Sequence, residues 1–203
     1  MKLILASASP RRREILGALR IPFEVVVPEV EELTDGVPEE VVVENARRKA
    51  AAGLRAAETL GERAAEAAEE GAIALGVDTE VVLDGRLLGK AAGRTEARER
   101  LEALAGRTHA VLSGVALHGA APSGGTPAER SGVAQTEVTF RELDRTTVET
   151  YLASGEWRDR AGAYAIQGLG SILVERVEGD FSNVVGLPVR LLLELAPELL
   201  ALR

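Results

Sequence analysis

Three cationic side chains and two carboxylates, spread over the first ninety residues, have the chemistry needed to handle a polyphosphate. Arg11 opens a run of three arginines, Lys49 lies in ENARRKA and Lys90 ends GRLLGK, while Glu32 and Asp78 stand in two further segments. Arginine presents a planar fork of donors and lysine a compact point charge, and both suit phosphate oxygens. Carboxylates suit a hard divalent cation or the activation of a water. Of the chain's 24 basic residues only Lys2, Lys49 and Lys90 are lysines, so two of the three fall in these stretches. The expected chemistry is phosphoryl transfer on a metal-bound polyphosphate. Asp78, Glu32, Lys49 and Lys90 are the candidate catalytic residues, and Asp78 and Glu32 the candidate ligands of a divalent metal cation, Mg2+ or Mn2+.

The elements that must position these groups begin at LILASASPRRR, Leu3 to Arg13. A short apolar strand meets a Ser/Ala corner, and Ser9 as N-cap with Pro10 at the first helical position starts a helix running to about Leu19. Its free amides and positive dipole end, with Ser7, Ser9, Arg11, Arg12 and Arg13 around them, form an expected anion site.

Phe23 to Val27 reads as a second strand and Pro28 to Gly36 as an acidic connection. Pro38 opens a helix rich in Ala, Glu and Arg that is expected to continue to about Glu70 with a break near Gly61. Ala72 to Val77 is an apolar run that should deliver Asp78 and Thr79 at its carboxyl end. A hairpin is expected to follow, with Glu80 to Leu83 and Arg86 to Leu88 as its arms and Asp84-Gly85 as its turn. Thr95 should cap a helix to about Ala105, and Asp144 another through Leu152. His109 to His118, Gln135 to Phe140 and Ser171 to Val177 read as strands. Ala120 to Ser131 reads as a surface loop, and Gly155 to Gly170 as an irregular binding loop. Pro188 begins a Leu-rich terminal helix. This order implies an α/β fold, a mixed central sheet flanked by helices, in one domain over residues 1–203.

Composition narrows the classes. The 203-residue chain has 46% hydrophobic content, enough for a sizeable core, and no cysteine, which excludes disulfides and thiolate chemistry. The opening residues have no charged region leading into a long apolar one, and no apolar run approaches the ~20 residues of a membrane span, so a cytoplasmic protein is expected. A net charge of -8 disfavours unspecific nucleic-acid or membrane binding, so any anion must be drawn by a local pocket.

Two motifs fail on spacing. GRLLGK at Gly85 to Lys90 has too few residues between its glycines for a Walker A loop, and Ala91 stands where Ser or Thr should hold magnesium. Gly168-Leu169-Gly170 lacks the rest of a dinucleotide fingerprint. His109 and His118 lack the partners of a zinc site or triad and read as packing residues.

A set of blocks in order carries a family resemblance. These are ASASPRRREIL (Ala6 to Leu16), ENARRKA (Glu44 to Ala50), GVDTEVVLDGRLLGK (Gly76 to Lys90), LAGRTHAVLSGV (Leu104 to Val115), and GEWRDRAGAYAIQGLG (Gly155 to Gly170) followed by FSNVVGLP (Phe181 to Pro188). The chain resembles the Maf family of nucleoside triphosphate pyrophosphatases. Two positions depart from the family pattern: Ala91, where proline is usual, and Arg160, where lysine is common. The resemblance implies a Maf/ITPase-like sheet with a cleft between two lobes, and a house-cleaning hydrolase that cuts a nucleoside triphosphate between the α and β phosphates. It implies Asp78 as the proton acceptor, and Arg11, Thr79 and Gln167 as positions governing base choice. Glutamine in the IQG block resembles the dTTP/UTP branch, since an amide matches the O4 acceptor and N3-H donor of uracil or thymine. A nucleotide-sensing regulator of septum formation and a phosphatase releasing orthophosphate are the competing classes. A homodimer is a further expectation from such folds.

Overall fold

The computed structural model describes residues 2–59, 72–119 and 128–202. In chain order the regular elements are β1 (Leu3–Ala6), α1 (Pro10–Ala18), β2 (Phe23–Val26), α2 (Pro38–Thr59), β3 (Ile73–Leu83), β4 (Arg86–Leu87), α3 (Arg94–Leu104), β5 (Thr108–Gly119), β6 (Glu129–Phe140), α4 (Arg145–Ser154), β7 (Val174–Glu178), α5 (Phe181–Val185) and α6 (Val189–Leu195). Short 3-10 turns cover Gly168–Ile172 and Pro197–Leu202. One mixed sheet has the order β2-β1-β3-β5-β6-β7, with β4 paired to β3. The β2-β1-β3 portion is parallel and every later pairing is antiparallel. The expected α/β sheet flanked by helices is the observed architecture. Among the described residues no helix is long and apolar enough to cross a membrane.

The central strand β3 departs from expectation in a way that matters for the site. The apolar run at Ala72 to Val77 and the hairpin arm at Glu80 to Leu83 are one 11-residue strand, so Asp78 and Thr79 lie in mid-strand and not at a carboxyl end. The reason is tertiary: β5 pairs with β3 without interruption from Ile73↔Gly119 to Val82↔Ala110, and this ladder carries the polar pair through. On the opposite edge β1 reaches only Leu75, and β4 begins at Val82. The β3 edge between them has no strand partner among the described residues, and a cleft opens there.

The two faces of β3 are packed differently, as strand alternation requires. Gly76 faces α2, where a Cβ would stand 2.0 Å from the Ala46 carbonyl oxygen, and Gly114 of β5 is as close to that of Val42. Glycine at these points lets α2 lie directly on the sheet. The other face carries two separate apolar clusters. One joins Leu3, Leu5, Val77 and Val115 to α1 and α6; the other joins Val81, Val111 and Phe140 to α3, α4 and the 155–170 segment. Between them runs a single polar rung, Thr79 opposite Ser113. The cleft between two lobes is thus a polar seam between two cores.

Other boundaries moved. Helix α2 is described as far as Thr59, and its expected continuation to Glu70 with a break near Gly61 lies outside the described residues. Gly93 with extended backbone, not Thr95, precedes α3. Glu129 to Ser131, expected in a loop, start β6, whose ladder to β5 extends to His118↔Glu129; most of the remaining loop lies outside the described residues. Ser171 belongs to a 3-10 turn, and β7 runs from Val174 to Glu178. Helix α5 was not expected; Asp180 caps it by accepting from the Ser182 amide at 2.8 Å. Asp144 caps α4 as expected, its Oδ1 accepting from Thr147 N at 2.7 Å.

Candidate active site

Asp78 is 4% exposed and is held by two side chains of α2 one turn apart. Lys49 Nζ donates to its Oδ1 at 2.6 Å, and Asn45 Nδ2 to its Oδ2 at 3.0 Å. Lys49 also pairs with Glu32 Oε2 at 3.0 Å, so Glu32 is drawn to the same cation from the coil after β2. This cluster depends on the close approach of α2 at Gly76, two residues before Asp78 on the same face.

The corner after β1 supplies the opposite wall. Arg12 is pinned by three partners: Nε donates to the Gly186 carbonyl at 2.8 Å, Nη1 to Ser7 Oγ at 2.9 Å and Nη2 to Thr79 Oγ1 at 3.1 Å. Burial lowers its pKa to about 10, an effect opposed by Asp78 and Glu32. Arg11 donates through Nε to the Val185 carbonyl at 3.1 Å, and its buried Nη1 has no hydrogen-bond partner. Thr79 Oγ1 also lies 2.8 Å from Ser113 Oγ. Ser9 adopts the extended backbone of an N-cap, but its side chain makes no cap bond; its amide donates instead to Ser7 Oγ at 3.2 Å. Arg13 leaves the anion site expected of it: it is exposed, and its Nη2 donates to the Ala8 carbonyl at 2.9 Å, because the helical turn points it away from the sheet.

The far rim comes from the turn after β4 and the 155–170 segment, which are joined by a bridge between Lys90 and Ala161 and by the Gly162 amide donating to the Gly89 carbonyl at 2.8 Å. Lys90, Arg160 and Gln167 line the cleft from this side. Gln167 is exposed, and the turn after it is fastened by Glu156, which accepts from the amides of Leu169 at 3.1 Å and Gly170 at 3.2 Å. Apart from Arg13, the candidate residues Ser7, Ser9, Arg11, Arg12, Glu32, Lys49, Asp78, Thr79, Lys90 and Gln167 all line one cleft of about 690 Å³. That volume accommodates a nucleotide-sized ligand.

The cleft lining holds five basic side chains (Arg11, Arg12, Lys49, Lys90 and Arg160) and five acidic ones (Glu29, Glu32, Asp78, Glu80 and Asp159). A polyanion entering so balanced a site would need further positive charge. Among the described residues no three His, Asp or Glu side chains are grouped as a metal-binding cluster. Two carboxylates sharing one lysine do fit a cation such as Mg2+, which takes one or two carboxylates and completes its shell with phosphate oxygens and water. His109 lies in the core, its Nε2 2.8 Å from the Tyr164 hydroxyl, as its reading as a packing residue anticipated.

Comparison with known proteins places the chain in a family. The profile of the family described as Maf-like protein matches residues 2–199. The chain belongs to the Maf-like family. Among its relatives, a protein of Caldanaerobacter subterraneus subsp. tengcongensis named dTTP/UTP pyrophosphatase is 42% identical over 198 residues, covering 96% of this chain and 87% of its own length. Proteins of the same name from Deinococcus radiodurans and Bacillus cereus are 44% and 45% identical, with 96% of this chain covered in each case and 91% and 94% of theirs.

Within this Maf-like site, sequence reasoning missed Asn45, Ser113 and Glu80. Asn45 had a signal, a lone amide one helical turn before Lys49. Glu80 had one too, two residues after Asp78 and therefore on its face of the strand. Ser113 had none, because only the β3–β5 register sets it beside Thr79. Of the two departures from the family pattern, Ala91 packs against the larger core cluster, and Arg160 lines the cleft with a buried Nε that has no hydrogen-bond partner.

Proposed function

We propose that this Maf-like chain is a nucleoside triphosphate pyrophosphatase that hydrolyses dTTP and UTP to the monophosphate and pyrophosphate, working in the cytoplasm as a single nucleotide-hydrolysing domain. The observation that carries the reading is the cluster of Asp78, Lys49 and Glu32 facing Arg11 and Lys90 across one cleft. The names of the relatives support the choice of substrate.

In this reading Ser7, Ser9 and the free Nη1 of Arg11 bind phosphate oxygens at the corner before α1, and Arg12 keeps that corner in shape. Glu32 and Asp78 would hold Mg2+, which when bound supplies the positive charge that the balanced cleft lacks. Asp78 orients a water for in-line attack on the α phosphorus and accepts its proton. The new bond forms between the water oxygen and the α phosphorus, and the bond to the bridging oxygen breaks. Arg11, Lys49 and Lys90 stabilise the charge that develops on pyrophosphate. Gln167 and Thr79 read the base, the glutamine amide pairing with O4 and N3-H of the pyrimidine.

Product analysis of the full chain with Mg2+ and a panel of nucleoside triphosphates tests this. Pyrophosphate should appear first from dTTP and UTP, and Asp78→Asn should lower turnover by about 10³-fold or more while leaving the fold intact. Orthophosphate as first product, binding without turnover, or normal turnover in Asp78→Asn would each overturn the assignment.

A further inference from the structure

Asn45 is an amide in the buried face of α2, only 1% exposed, and both of its donors are used. One N-H goes to Asp78 Oδ2 at 3.0 Å and the other to the Leu33 carbonyl at 3.0 Å, while its Oδ1 accepts from the Leu33 amide at 2.7 Å. The amide therefore grips both backbone groups of the residue next to Glu32, as a neighbouring strand would, and in the same geometry touches Asp78. One turn later Lys49 repeats the connection through side chains, with Nζ at 2.6 Å from Asp78 and 3.0 Å from Glu32. Residues i and i+4 of α2 thus form two rungs, each tying Asp78 to the segment that carries Glu32.

No other side chain of this size does the same work. Aspartate could still accept from the Leu33 amide, but it has no proton for Asp78 and sets a like charge beside it. Alanine would leave the Leu33 amide and carbonyl and Asp78 Oδ2 without this partner.

We propose that Asn45 is a positioning residue for the pyrophosphatase reaction: its amide fixes the Asp78 carboxylate and the Glu32 segment relative to one another, so that both carboxylates meet the substrate in register. The inference rests on the role given to Asp78 above.

The test measures kcat and KM for dTTP with Mg2+ in Asn45→Asp, Asn45→Ala and Asp78→Asn, together with hydrogen exchange over residues 28–36. In Asn45→Asp, kcat should fall by about tenfold to hundredfold. KM should stay within about threefold, because the phosphate contacts of Arg11 and Lys90 are untouched. Exchange over 28–36 should rise more in Asn45→Ala than in Asn45→Asp, since only the latter keeps an acceptor for the Leu33 amide. A purely structural role would move thermal stability without this split between kcat and KM. Wild-type kcat in folded Asn45→Asp, or a loss confined to KM, overturns the proposal; should that variant not fold, Asn45→Ser carries the same comparison. Inactive Asp78→Asn beside fully active Asn45→Asp would refute the role of Asn45 alone. Active Asp78→Asn would refute the reading on which it rests.

Discussion

Glu80 stands two residues beyond Asp78, lines the cleft, and has a buried Oε2 with no hydrogen-bond partner. Burial, then repulsion from Asp78 and Glu32, raises its pKa to about 7, while Lys49 and Lys90 act in the opposite direction. Between pH 4.5 and about 7 the folded chain holds a proton that the unfolded chain has released, so this residue's effect is a loss of stability as pH rises through that window. Glu80→Gln is therefore expected to be more stable than the parent at pH 8, by on the order of 2 kcal/mol, and little different at pH 4. Urea unfolding at the two values checks this; an equal difference at both would mean that Glu80 is solvated. Destabilisation of this kind is common where binding requires charges to be kept apart from partners. Arg12 shows the complementary arrangement, a part-buried cation with each of its three nitrogens donating once, to Gly186, Ser7 and Thr79.

At the scale of elements, the site depends on how closely α2 approaches β3. Asn45, Lys49 and Asp78 meet only because Gly76 and Gly114 offer no Cβ where the backbone of the helix passes. A methyl on Gly76 would meet the Ala46 carbonyl at 2.0 Å and the Ala50 amide at 2.6 Å, and backbone atoms in mid-helix cannot swing aside as a side chain could. Gly76→Ala is expected to cost about 2 to 3 kcal/mol in stability. It should also lower dTTP turnover in the fraction that stays folded, because the helix must lift the Asn45 and Lys49 side chains from Asp78. Thermal unfolding together with turnover measured well below the transition tests both parts; a normal Tm would mean that the helix does not rest on this glycine. On the same helix Ala46 and Ala50, small and four apart, pack against Ala116.

For the whole molecule, the arrangement is two apolar clusters on one sheet face divided by the Thr79–Ser113 rung. His109 belongs to the larger cluster, 3% exposed, in edge contact with Phe140 at 5.0 Å and Tyr164 at 5.4 Å. Burial lowers its pKa from 6.5 to about 4, so the fold favours the neutral ring. The unfolded chain then binds the extra proton between those values, and stability present above pH 6.5 is lost as pH falls toward 4. The contribution is on the order of 3 kcal/mol at most. His109→Gln should flatten the loss of stability between pH 6.5 and 4 relative to the parent, as read from urea midpoints. Identical pH profiles would show that this ring does not titrate on unfolding.

Most of the strands and helices, the helix starts at Pro10 and Asp144, and the residue types of the site were legible in the sequence because each is local: periodicity, turn chemistry and charge are carried within a few residues. What the sequence determined was the inventory, namely a strand-corner-helix with arginines, two lysines and two carboxylates in separate segments. Its distribution over the cleft was decided only by tertiary structure. The uninterrupted β3–β5 ladder put Asp78 in mid-strand, the gap between β1 and β4 opened the edge beside it, and the β3–β5 register set Ser113 beside Thr79. Asn45 and Glu80 became visible as site residues in the same way. Contacts such as Arg12 with Gly186 or Asn45 with Asp78 span 174 and 33 positions of chain, and no local pattern can encode a partner that only packing brings within hydrogen-bond distance.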